Sequence, residues 1–82
     1  MTRPEYTVTW EGGQFVKFSW NSARNNIVPT LRNMLQTYEV FYRISFEGER
    51  DERGNHIKGK EVWTSNLGRK IEFTILRTKE SH

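Results

Sequence analysis

The sequence predicts an α+β fold: one small domain with elements in the order ββαβββ, a largely antiparallel sheet, and one helix packed on one face of it. Three observations predict this. Apolar residues alternate with polar ones at period two in several short stretches, they recur at helical spacing in one stretch, and turn-forming residues separate the stretches. At 82 residues the chain has room for one core, so residues 1–82 are read as a single domain without a linker or a long repeat.

Tyr6, Val8 and Trp10 alternate with Thr7 and Thr9, the pattern of a strand with one buried face, over about residues 5–11. Gly12-Gly13 tolerates positive φ and suits a hairpin turn. Gln14 to Trp20 alternates again, and Val16, Phe18 and Trp20 are expected to point inward. The polar run Asn21 to Asn26 precedes Ile27, Leu31, Met34, Leu35 and Tyr38, which lie at helical spacing. Pro29 fits a first turn and disrupts a helix interior, so the helix is expected to start with Asn26 as its cap or at Pro29 itself. A start at Ser22 would force a kink.

From Val40 the period returns to two, with Val40, Tyr42, Ile44 and Phe46 expected inward and Phe41, Arg43, Ser45 and Glu47 outward. The charged run Gly48 to His56 reads as a solvated hairpin tip, followed by a strand over about residues 57–64. Ser65-Asn66-Leu67-Gly68 suits a tight turn with Gly68 at positive φ. Ile71, Phe73 and Ile75 give the last strand its buried face, and the tail from Thr78 is expected to fray. Trp10, Phe18, Leu31, Ile44 and Phe73 are the expected core. In element order this arrangement resembles the ubiquitin-like β-grasp. The tail Lys79-Glu80-Ser81-His82 lacks the paired glycines of a conjugated modifier, so conjugation is not implied.

Composition narrows the function. There is no cysteine, and His56 and His82 are the only histidines, so neither disulfides nor a structural zinc supplement the core and no metal or other cofactor is expected. The aromatic fraction of 13% compensates, since each buried ring removes roughly 150–250 Å² from water. The N-terminus has no apolar leader and no stretch is long enough to span a membrane, which with the absence of cysteine points to a cytoplasmic protein without a membrane partner. The net charge is +3, but basic and acidic residues are interspersed: four and three before Arg43, nine and seven from there on. Attraction for phosphate therefore depends on folded placement.

Strands two and three share a pattern of Phe, apolar, basic, apolar, Ser, aromatic in residues 15–20 and 41–46. With the expected registers both present Phe, a cation and Ser to solvent, so Phe15, Lys17, Phe41 and Arg43, joined by Trp63, are candidate contacts for single-stranded nucleic acid or RNA. Arg50, Arg53, Lys58 and Lys60 on the long hairpin would reach phosphates. The shared platform requires strands two and three to be neighbours, which a ubiquitin-like order does not provide. The alternatives are that the two phenylalanines close a second small core, or that the open face or an edge strand binds a partner protein or a second copy of the chain. Such a protein would be an inhibitor or adaptor of the kind mobile elements encode, acting on a larger complex, nucleic-acid machinery included. Enzymatic readings find little support: no nucleophile elbow or phosphate-cradling loop is present. A small ribonuclease using His56 with Glu61 or Glu72 and an arginine is the remote alternative. The expected function is a non-enzymatic binding or regulatory protein, with nucleic acid first and a partner protein second.

Overall fold

The computed structural model describes residues 3–79, in which the two hairpins and the last strand appear in the expected order. The strands are β1 (Glu5–Trp10), β2 (Gly13–Lys17), β3 (Phe41–Arg50), β4 (His56–Ser65) and β5 (Lys70–Lys79); the helical stretch consists of α1 (Trp20–Asn25) and α2 (Ile27–Arg32). All five strands form one antiparallel sheet in the order β2-β1-β5-β4-β3. β2 and β3 are thus the opposite edges, and the helical stretch carries the chain from one to the other across one face. The last strand continues through Thr78 and Lys79, while the rest of the expected frayed tail lies outside the described residues.

Ser19 starts the helical stretch. Its backbone is extended and its hydroxyl accepts a hydrogen bond from the Ser22 amide at 3.0 Å, satisfying one of the unpaired donors of the first turn. Trp20, Ala23, Ile27 and Leu31 form one buried stripe that continues across the junction at Asn26. Pro29 lies in the first turn of α2, where its missing N–H costs no helical bond, and the break at Asn26 spares its ring a clash with a continuous helix. Asn26 stitches the two pieces: its side chain donates to the Ser22 carbonyl and its own carbonyl accepts from the Thr30 hydroxyl. The stretch therefore begins six residues or more before either expected start, and it ends at Arg32 instead of Tyr38.

Facing the helices, Tyr6 and Val8 of β1, Ile71, Phe73 and Ile75 of β5 and the helical stripe close the core, with Trp10, Phe15, Met34, Phe41 and Trp63 packed at its margin. Gly59 of β4 is part of this face. A Cβ there would sit 2.6 Å from Trp20, whose indole lies over the backbone.

Two inward faces differ from expectation. Val8 pairs with Phe15 and Tyr6 with Lys17, so Phe15 and Lys17 share the core side while Val16 and Phe18 are exposed; Trp20 belongs to the helix. The two-residue loop Glu11-Gly12 sets this register, because Trp10 pairs directly with Gly13. On β3, Phe41 pairs with Ser65 and Arg43 with Trp63 on the helix side, whereas Val40, Tyr42 and Ile44 are exposed. A bulge between Arg43 and Ser45 then shifts the alternation, bringing Phe46 to the helix side opposite Glu61. Phe18 and Ile44 are accordingly surface residues, while Leu31 and Phe73 are buried and Trp10 partly so.

Candidate interaction surface

β3 is built unlike its neighbours. Among the described residues it pairs with β4 alone, leaving one row of backbone N–H and C=O groups without a strand partner, and every residue from Tyr42 to Arg50 is exposed. The helical stretch packs chiefly over β1, β2 and β5 and leaves most of β3 uncovered, reaching it with Arg24 and Trp20 at Phe46. Tyr42 and Ile44 keep 54% and 52% of their surface in solvent, and Phe46 is also exposed. Val40 and Tyr38, just upstream, extend the apolar display, with Tyr38 at 90% exposure.

The approach to β3 is fixed by side chains from the β4–β5 turn. Asn66 donates to the Tyr38 carbonyl and accepts from the Val40 amide, each at 2.8 Å, as a neighbouring strand would. Tyr38 has φ 62, a left-handed conformation costing a residue with a Cβ about 1–2 kcal/mol, which these bonds hold in place. Glu39 beside it is buried and takes a two-pronged contact from Arg69, whose guanidinium also reaches the Met34 carbonyl and lies 5.2 Å from the Phe41 ring. The Arg69 hydrogen bond is the main cause that lowers the Glu39 carboxyl from 4.5 to about 2. Arg69 is shifted upward for the reciprocal reason. Ser65 closes the turn, its hydroxyl accepting from Leu67 and Arg69, and Gly68 has the expected positive φ of 83.

Behind β3, Glu61 is 2% exposed and fully engaged. Arg24 donates to one carboxylate oxygen at 2.8 Å, the Trp63 indole N–H to the other at 3.0 Å, and Arg43 lies 3.8 Å away. The Arg24 guanidinium is also stacked 3.9 Å from the Phe46 ring centroid. A buried carboxylate without such donors would be costly, so Glu61 locks α1 to the β3–β4 hairpin. At the far end, His56 starts β4 and stacks on Trp20 at 4.3 Å, so it is a packed residue and not a solvated tip. Burial chiefly, then Arg50 and Arg24, lower its pKa. The tip spans Asp51 to Asn55. Asp51 accepts from the Asn55 and Arg53 amides and from Arg77, and these bonds, that of Asn55 foremost, lower its pKa.

The expected site residues are distributed over three regions. Phe15, Lys17, Phe41, Arg43 and Trp63 lie on the helix side of the sheet, with Phe15 and Phe41 at opposite edges, so the outward aromatic platform is not formed. Lys58 and Lys60 are on the open face across from Glu49 and Glu47, and Lys60 also pairs with Glu72 at 3.3 Å. Arg50 donates to the Gly54 carbonyl, and Arg53 stands on the tip. Glu61 and Glu72 fall on opposite faces, since Phe73 pairs with the first and Val62 with the second. Among the described residues no three His, Cys, Asp or Glu side chains gather around a cation site, and no helix is long and apolar enough to cross a membrane. His82 lies outside the described residues. Comparison with protein-family models, with curated proteins and with solved structures gave no match to this chain.

Proposed function

We propose that this chain is a non-enzymatic protein-binding module that takes up an extended segment of its partner along the free edge of β3. The observation that carries this reading is the exposure of β3 on both faces and along one edge, although its sequence is as apolar as a core strand. A strand of this kind offers a ready ladder of backbone donors and acceptors, while alternate side chains give specificity. Tyr42, Ile44 and Phe46 supply the apolar contacts, and Arg43, held by Glu61, supplies a fixed cation beside them. On the open face the positive charges alternate with carboxylates, which favours a partner with mixed polar groups over a continuous phosphate backbone.

The test is affinity capture with the chain as bait, with and without nuclease, using wild type and Tyr42→Lys/Ile44→Lys. The reading expects a protein retained through nuclease treatment that the double variant loses without a change in melting temperature. Release of all bound material by nuclease would support nucleic acid as the ligand and overturn the reading.

A further inference from the structure

Where the chain enters β3, a partly open pocket of about 270 Å³ lies between α2 and the β3–β4 hairpin. Val28 and Leu35 form one wall and Phe41 and Trp63 the other. The Trp63 N–H is already given to Glu61, so the indole offers this pocket apolar ring surface. Glu39 also borders it, but its carboxylate is taken by Arg69. Arg32 differs: it is exposed at the same pocket and has no carboxylate partner among the described residues. The pocket thus combines an apolar interior with one uncompensated cation. Its volume is below the roughly 300–1,000 Å³ of sites for drug-sized ligands and suits one large side chain.

We infer that this pocket is the anchor site of the peptide that adds to β3, and that it takes one aromatic or large aliphatic side chain whose neighbouring carboxylate pairs with Arg32. The inference rests on the edge-strand reading above. Two features join the pocket to that edge. Phe41 belongs to both, with Val40 lining the pocket one residue before the strand, and the Tyr38 backbone leading into them is held in a left-handed conformation by Asn66, a local constraint of the kind that clusters at ligand clamps. An extended peptide running along β3 would pass the mouth of the pocket and place an alternate side chain over it.

Phenylpropionate, an aromatic ring with a carboxylate and too short to add a strand, tests the pocket apart from the edge. Its titration is followed through the Trp63 indole N–H resonance. The expected result is a saturable shift with a Kd of about 1–10 mM, as for a ligand of this size. Binding should weaken by about threefold to fivefold in Arg32→Gln, and equally when phenylpropanol replaces the acid, the range for one exposed ion pair. Ile44→Lys should bind phenylpropionate as wild type does, even where it loses the protein partner, so a failed edge and a failed pocket are separable. No shift of the Trp63 resonance at about 10 mM ligand, or equal affinity for acid and alcohol, would overturn the inference.

Discussion

The two edges of the sheet are built differently. β2 is five residues long, begins at Gly13 with φ 149, turns Phe15 and Lys17 toward the core, and passes within two residues into a capped helix. β3 is ten residues long, is exposed from Tyr42 to Arg50 with only Phe41 and Phe46 touched from the helix side, and turns Tyr42 and Ile44 to solvent. Short length and coverage are among the ways in which sheet edges are protected from unwanted pairing. β2 uses both. On β3 the bulge at Arg43/Ser45 and the charges of Arg43, Glu47 and Glu49 interrupt the strand without removing its apolar display, which fits an edge that pairs selectively. The lesson is that an apolar alternation need not mark a buried face; on β3 it marks an exposed surface braced from behind by Glu61 and, at its entry, by Glu39 and Arg69.

The comparison can be broken most severely at the core. Phe73→Ala should cost about 3–5 kcal/mol, enough to unfold much of a domain this small, whereas Ile44→Ala should stay within about 0.5 kcal/mol. Urea denaturation of both variants checks this, and comparable losses at the two positions would show that β3 is part of the core. Gly59→Ala comes next. Its Cβ would meet Trp20 at 2.6 Å and push the indole off Tyr6 and His56, for an expected loss of about 1–3 kcal/mol and a changed near-ultraviolet tryptophan signal.

A smaller effect concerns acid. The Glu39 carboxyl titrates at about 2 in the folded chain against an ordinary 4.5, so its ionised form favours folding. This stabilisation is fully present above the unfolded value and is lost as pH falls from about 4.5 through about 2. Arg69→Gln should remove this part of the acid dependence, seen as a shallower decline of the urea midpoint over that range. An unchanged slope would mean that the Arg69 contact does not hold the entry to β3.

Much of the fold was legible because its signals are local. The alternation of Tyr6, Val8 and Trp10, the turn at Gly68 and the apolar spacing of β5 each depend on neighbouring residues and were found where the sequence put them. The faces of β2 and β3 depart from the simple alternation for two different reasons. In a hairpin closed by an even number of loop residues, even-numbered positions oppose odd-numbered ones, so Val8 had to face Phe15 or Lys17 and could not share a side with Val16. That signal was present in the sequence. The β3 bulge was not, since Ile44 has no residue type that marks it. The helix start is also encoded locally: Ser19 is a good cap, and Trp20 and Ala23 extend the Ile27–Leu31 stripe backward, whereas Pro29 taken alone favours a later start. Glu61 and Glu39 were invisible as organising groups, because their partners Arg24 and Arg69 are 37 and 30 residues away.

The central claim, that β3 pairs with a partner through its free edge, is tested most directly by amide hydrogen exchange of the complex with a nuclease-resistant partner. The account predicts that exchange slows by about tenfold or more at alternate residues between Tyr42 and Arg50, with the open-face residues of β1 and β5 unchanged. Protection confined to the hairpin tip or to the open face, with β3 exchanging as in the free chain, would contradict it.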